Sequence, residues 1–286
     1  MENLTFIKEL SKGVIIGIAN IIPGVSGGTL AVAMGIYDKM ISAITHLLKK
    51  PKQSIVTLMP YGIGALVGIV GLSFIIEGLF LHYPLPTNLF FIGLILGSVP
   101  MLYKKVKHQK MNMKYIIAFV VMFILVVGLS LVKGNQSIQN DLQLNVIGVI
   151  KIFLVGIIAS ATMVIPGVSG SMVLTIIGYY LPIIERINQV MKSLISFNIL
   201  QAVQSSLILI PFLLGVGIGI FLIAKLIECL FKKAETLVYW GILGLVISSP
   251  VAILIVAQVE QITLLSVGIG SVCLILGLKV ATMLSE

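Results

Sequence analysis

Charge is what this chain has least of. Asp, Glu, Lys and Arg make up 10% of its 286 residues, where a soluble domain averages about 25%. That is too little to cover a globule of this size. The mean hydropathy of +1.16 says the same. A soluble enzyme, a nucleic-acid binder and a disordered protein are excluded. Cysteine is nearly absent: Cys229 and Cys273 both lie inside apolar runs, so there is no disulfide framework and no CxxC motif. Their expected role is packing. His46, His82 and His108 are scattered, without the H-E-x-x-H spacing of a zinc hydrolase. The N-terminal MENLTFIKELSKG mixes acids with its bases and has no cleavage site of small residues, so no signal peptide is expected.

What the chain has is apolar length. A helix needs about 20 residues to cross the hydrocarbon core. Six stretches predict spans: 54–80, 88–103, 114–132, 204–231, 237–257 and 262–283. The stretch 88–103 is short and ends near Pro100 and Lys104-Lys105, which suits a thinned bilayer. Two further stretches, 13–36 (GVIIGIANIIPGVSGGTLAVAMGI) and 155–178 (VGIIASATMVIPGVSGSMVLTIIG), carry Pro-Gly near the middle. Proline removes a backbone donor, which predicts re-entrant hairpins with arms of about ten residues, roughly 15 Å each. Such breaks are tolerated at membrane depth only inside protein or beside a wet cavity. Each hairpin is followed by an amphipathic stretch, 37–53 and 179–203. The first carries Met40, Ile41, Ile44, Leu47 and Leu48 on one face, the second Ile183, Ile184, Ile187, Val190 and Leu194. Interfacial helices and helices packed on the protein both fit.

The chain repeats itself. Ile22-Pro23-Gly24-Val25-Ser26-Gly27 recurs as Ile165-Pro166-Gly167-Val168-Ser169-Gly170, and Gly35 and Tyr37 recur as Gly178 and Tyr180. Pro60, Gly64, Gly68 and Glu77 recur as Pro211, Gly215, Gly219 and Glu228, and Gly93-Leu94 as Gly244-Leu245. The predicted organisation is an all-α polytopic membrane protein in two halves, 1–132 and 148–286, joined by a polar linker at 133–147. Each half holds a hairpin, an amphipathic helix and three spans. Three is odd, so the second half is inverted relative to the first. The bases agree. Segments on the N-terminal side carry fourteen, against four (Lys133, Lys151, Arg186 and Lys192) on the other, with Lys225 inside a span. The positive-inside rule then makes both termini cytoplasmic and the linker external.

The hairpin tips are the candidate site. Pro23 and Gly24, like Pro166 and Gly167, break the chain. Ser26 and Ser169 stand where N-caps belong. Gly27, Gly28 and Thr29, and in the second half Gly170 and Ser171, follow with amides that a first helical turn leaves unbonded. Such a tip receives anions, phosphate above all. In inverted halves, both tips reach the midplane from opposite sides. The rival reading is packing, since Gly24 to Gly28 is GxxxG and Gly167 to Ser171 is small-xxx-small. Its duplication around a proline break favours a ligand site. Glu77 and Glu228, at matching repeat positions near span ends, are candidates for coupling (to a proton or to sodium) or for gating, with a solvated role as the alternative. Lys225 is placed to pair with Glu228 at i,i+3. Arg186, the only arginine, is a candidate for contacting a phosphate headgroup or for a solvated role at the interface.

At Pro23–Thr29, with the preceding Asn20, and at Pro166–Ser171, the sequence resembles a bacterial membrane family long known only as a domain of unknown function, the PopT-type polyprenyl-phosphate translocases. The resemblance covers nearly the whole chain. It implies return of undecaprenyl phosphate from the outer to the inner leaflet of the cytoplasmic membrane, for reuse in cell-wall synthesis. The implied partners are this lipid and the surrounding membrane lipids. No cofactor or metal is called for, and no enzymatic step. Ser171 stands where the first tip has Gly28, so the two tips are not identical. A lipid with one phosphate and a long apolar tail suits an anion site open sideways to hydrocarbon, because a bare phosphate in the core is costly. Rival readings are a small-anion channel or exchanger using the same half-helix ends, a lipid phosphatase, and a structural partner of a wall-synthesis complex. The phosphatase lacks a nucleophile with acid and base partners, and the structural role leaves the duplicated hairpins unexplained.

Overall fold

The computed structural model describes residues 2–21, 25–132, 142, 145–257 and 262–285. It is all helical among these residues. The elements are α1 (Glu2–Ile21), α2 (Gly27–Ala33), α3 (Tyr37–Thr45), α4 (Pro51–His82), α5 (Pro84–Val106), α6 (Met113–Leu131), α7 (Val146–Val164), α8 (Gly170–Ile176), α9 (Tyr180–Ile195), α10 (Ile199–Val256) and α11 (Leu264–Ser285). Among the described residues, six helices (α4 to α7, α10 and α11) are long and apolar enough to cross a membrane. This is a multi-pass membrane protein. Its outer surface agrees: Leu264 is 92% exposed and Val146 78%, a costly display in water and an ordinary one in lipid.

The boundaries depart from the sequence expectation in four places. The first arms, α1 and α7, have 20 and 19 residues and the second arms, α2 and α8, seven each, so the arms are unequal. The amphipathic helices expected over 37–53 and 179–203 stop at Thr45 and Ile195. Pro51 starts α4 at its first position, and proline disfavours helical backbone in the residue before it. Leu48 is therefore 78% exposed rather than on a buried face. Span 88–103 is the middle of the 23-residue α5, opened by Pro84 and closed on Lys104 and Lys105, and no thinned bilayer is needed. The expected loop at 232–236 is a break within α10, where Ala234 leaves helical backbone (φ −154°, ψ 55°). Most of the expected linker 133–147 lies outside the described residues.

The helices group into two compact units. One comprises Met1–Leu131, Ile165–Val168 and Ala224–Glu286, the other Val132–Val164 and Ser169–Ile223. In the first, α1 packs along α4 and α5 along α11. Glycines let the backbones approach. A Cβ on Gly64 or Gly68 would collide with the backbone of Leu10 or Val14, and one on Gly93 with the Leu274 carbonyl. In the second unit, Gly215 abuts the Phe153 carbonyl and Gly219 abuts Ser160. Back in the first, Gly244 of α10 meets the Phe119 carbonyl of α6. The glycines that recur in the sequence are thus the points where helices touch, which is how membrane helices associate without a hydrophobic driving force. The contacts also cross the sequence halves: α11 packs on α5, and the last part of α10 on α6 through Gly244.

Candidate functional site

The first tip begins where the chain re-emerges after α1. Val25 and Ser26 are buried and extended, with Ser26 at the N-cap of α2 (φ −108°, ψ 131°). The first bond of α2 runs from Leu30 N to Ser26 O at 3.3 Å, so the amides of Gly27, Gly28 and Thr29 precede the helical ladder. Every residue of α2 is buried. Ser26 holds the position expected of a cap but makes no capping bond. Its Oγ is buried without a hydrogen-bond partner among the described residues. An unpartnered buried hydroxyl costs about 1–3 kcal/mol, so a ligand that pairs with it is favoured. A Cβ at Gly27 would lie 2.8 Å from Asn20 Oδ1, the end of an exposed side chain. Pro23 and Gly24 lie outside the described residues.

The segment Ile165–Val168 belongs to the same unit as α2. Gly167 has left-handed backbone (φ 82°), open to glycine at no steric cost. Its amide donates to Thr29 Oγ1 at 2.6 Å. Thr29 is 1% exposed, and having accepted this bond it keeps its own proton to donate. Pro166 is also fully buried. The two halves of the duplicated motif therefore meet through one side chain that the first carries and the second replaces.

In the second unit, Ser169 is the N-cap of α8 (φ −85°, ψ 124°), again without a capping bond. Its Oγ pairs with Ser171 Oγ at 3.0 Å. A Cβ on Gly170 would lie 2.9 Å from Thr162 Oγ1. Only Leu174 is buried in α8. Beyond each tip the chain turns the same way. Gly35 (φ 68°) and Gly178 (φ 76°) are left-handed. Ile36 N bonds Ala31 O at 3.0 Å, and Tyr179 N bonds Leu174 O at 2.9 Å. These are Schellman closures, and they explain why Gly35 and Gly178 recur. The second closure bends α8 from α9 by 113°.

Around α2 lies a polar frame that sequence reasoning missed. Lys12, 8% exposed, donates from Nζ to Met34 O at the end of α2, 3.3 Å away. Burial pushes its pKa below the usual lysine value, with Lys8 and Lys39 adding repulsion against the pull of Glu9. Glu9 accepts from the Tyr61 hydroxyl and from Lys39 Nζ at 3.2 Å. Burial raises its pKa, but these bonds and the charges of Lys39 and Lys12 outweigh it and hold the carboxyl below its ordinary value. Asp38 accepts from the Tyr239 hydroxyl at 2.7 Å, and Lys105 sits over the Tyr239 ring. The adjacent Asp38 and Lys39 thus tie α3 to helices on both sides. The signal was an acid–base pair directly after the Gly35 turn. The partners, up to 201 residues away, carry none.

The remaining candidates lie outside the tips, Glu228 beside Thr45 and His46 at the end of α3. Glu228 Oε1 pairs with Lys232 Nζ at 2.7 Å, not with Lys225 as its i,i+3 spacing suggested, because Glu four residues before Lys is the better orientation on a helix. Arg186 donates to Gln189 Oε1 at 3.0 Å on α9. The Glu77 side chain lies outside the described residues.

Residues 16–271 match the family described as undecaprenyl phosphate translocase-like. The chain belongs to that family. A polyprenyl-phosphate transporter of Staphylococcus aureus (strain NCTC 8325 / PS 47) is 32% identical over 260 residues, covering 88% of this chain and 87% of that protein. A polyprenyl-phosphate transporter of Vibrio cholerae serotype O1 (strain ATCC 39315 / El Tor Inaba N16961) is 27% identical over 266 residues, 87% of this chain and 77% of its own. No solved structure matches. The family match begins in α1 and ends in α11, so it takes in both tips, while Glu9 and Lys12 of the frame precede it.

Proposed function

We propose that this protein carries undecaprenyl phosphate from the outer to the inner leaflet of the bacterial cytoplasmic membrane, returning the carrier for cell-wall synthesis, and that it is a transporter without an enzymatic step. The names of the relatives support the substrate class. The fourteen-to-four distribution of bases supports two inverted halves with both termini cytoplasmic. In this reading the hairpins are re-entrant and their tips hold the phosphate. Ser26, Gly27, Gly28 and Thr29 offer two hydroxyls and amides at the first tip, and Ser169, Gly170 and Ser171 offer the same kinds of group at the second. The breaks at Pro23-Gly24 and Pro166-Gly167 keep those amides out of a helical ladder. Glu77, Glu228 and Arg186 are the groups proposed to couple or gate the movement, with a proton or sodium as the coupling ion.

The observation that carries this reading is the Ser26 hydroxyl, buried at the tip of a duplicated motif and without a hydrogen-bond partner among the described residues. A phosphate oxygen would satisfy it. The direct test is leaflet accessibility of undecaprenyl phosphate in cells with and without the protein. Accumulation in the outer leaflet on its loss is expected, and an unchanged distribution overturns the reading. For orientation, a cysteine at Asn140 in a background lacking Cys229 and Cys273 is expected to label from outside. Labelling only from the cytoplasm overturns the inverted arrangement.

A further inference from the structure

A groove of about 630 Å³ opens in the first unit between the α1–α4 pair and the α5–α11 pair. Ile15 and Ile18 of α1 form one wall, Phe91 and Leu94 of α5 the floor, and Ile269 and Cys273 of α11 the other wall. It carries no charged side chain. Its one threonine, Thr87, spends its hydroxyl on the Tyr83 carbonyl at 2.7 Å. Beyond it only the Tyr83 hydroxyl and the Cys273 thiol bring polar side-chain atoms to the lining, and a charged group pressed into it would go unpaired. The occupant is therefore hydrocarbon.

Two observations set this groove apart from the lipid-facing surface in general. It is deep: Phe91 and Leu94 line it while each is only 4% exposed, whereas α11 beside it shows Leu265 at 73% and Ile275 at 62%. It also shares its walls with the tip. The buried α2 packs against both α1 and α5, the helices that face each other across the groove. Ile18 stands two residues before Asn20, whose side chain rests on Gly27. From Ile269 to Val280 the groove follows twelve residues of α11, about 16 Å of helix at the standard rise.

We infer that this groove seats the phosphate-proximal part of a polyprenyl tail while the headgroup is at the α2 tip. The inference rests on the transport reading and adds to it the place of the tail. Lipid tails are as apolar as the groove, so leaving bulk lipid for it gains little by hydrophobicity. What the groove supplies is position: a seated tail fixes where its phosphate lies. Binding strength then comes from the tip, and selection for a long prenyl chain from the groove.

The test uses the full-length protein in nanodiscs and a prenyl phosphate bearing a diazirine on its first isoprene units. Crosslinks are expected in peptides spanning residues 83–94 and 269–280, displaced by unlabelled polyprenyl phosphate and not by excess phosphatidylglycerol. Ile269→Trp, at a rim position that is 41% exposed and tolerant of bulk, is expected to weaken binding of long-chain polyprenyl phosphate by about tenfold and to leave dimethylallyl phosphate binding unchanged. Ile275→Trp, on the exposed face of the same helix, controls for added bulk and is expected to change neither. Equal displacement by phosphatidylglycerol makes the groove a bed for ordinary lipid and overturns the inference. So do crosslinks that fall elsewhere while binding is intact, an outcome that leaves the transport reading standing. Absence of any prenyl-phosphate binding by the unaltered protein overturns both.

Discussion

The two tips share six consecutive residues and differ in almost everything around them. α2 is buried along its whole length, held between α1 and α5, with Lys12 at its far end. α8 buries only Leu174. Ser26 is buried and has no hydrogen-bond partner among the described residues, while Ser169 bonds Ser171, the residue that replaces Gly28. The shared hexapeptide gives both the same extended entry, and the recurring Gly35 and Gly178 close two seven-residue helices of different sequence in the same way. The difference teaches that a repeat fixes a backbone shape and leaves its use to the neighbours. We assign the stronger phosphate contact to the first tip.

The largest effect that would break or sharpen this contrast comes from filling the tips. Gly27→Val is expected to abolish binding of a phosphate-headed prenyl lipid, because the new side chain meets Asn20 and takes the space beside the amides. Gly170→Val is expected to bind more weakly than the native protein without losing binding, since α8 is less enclosed. Equal, complete loss in both folded variants would show that the tips are equivalent. Binding left intact in both would make them packing devices.

Next in size is Thr29→Val, nearly isosteric, which strands the Gly167 amide. It is expected to lower stability by about 1–3 kcal/mol, read as a shift in the thermal midpoint, and to weaken binding. An unchanged midpoint would mean that the Thr29 bond is not what holds the segment Ile165–Val168. Smaller still are the cap serines, which should move in opposite senses. Ser26→Ala removes an unpartnered hydroxyl, so stability holds or rises while binding falls. Ser169→Ala loses a bond to Ser171 worth about 1 kcal/mol, so stability falls while binding is nearly kept. The same pattern in both variants would erase the distinction between the tips.

The smallest effect concerns the frame. The Glu9 carboxyl titrates below its ordinary value of 4.5. Its stabilisation is therefore complete above that pH and is lost as pH falls through the depressed value. The thermal midpoint of Glu9→Gln should lie below that of the native protein at neutral pH and converge with it in acid. A constant gap across the range would show that Glu9 acts by shape and not by charge.

Much of the fold was legible because its signals are local. Apolar length gives spans, proline gives breaks, and the recurring hexapeptide gives two tips. The misread boundaries were also local, and Pro51 and Pro84 were the cues that marked them. The roles of the small residues were harder to read. Only the structure shows the Asn20 and Thr162 side chains beside Gly27 and Gly170. Ser26 read as a cap, yet it makes no capping bond. The polar frame was illegible because Glu9, Tyr61 and Lys39, or Asp38, Tyr239 and Lys105, lie far apart in the chain.

By itself the sequence determined a multi-pass helical protein with a duplicated Pro-Gly motif ahead of two short helices, because hydrophobicity and backbone restriction act within a few residues and repeat wherever the residues do. Only the tertiary structure decided that α11 pairs with α5 and the end of α10 with α6, that α2 is buried throughout while α8 buries only Leu174, and that a groove runs beside α2. Those outcomes depend on which glycine faces which carbonyl across helices far apart in the chain, a steric fit between surfaces that no local pattern encodes.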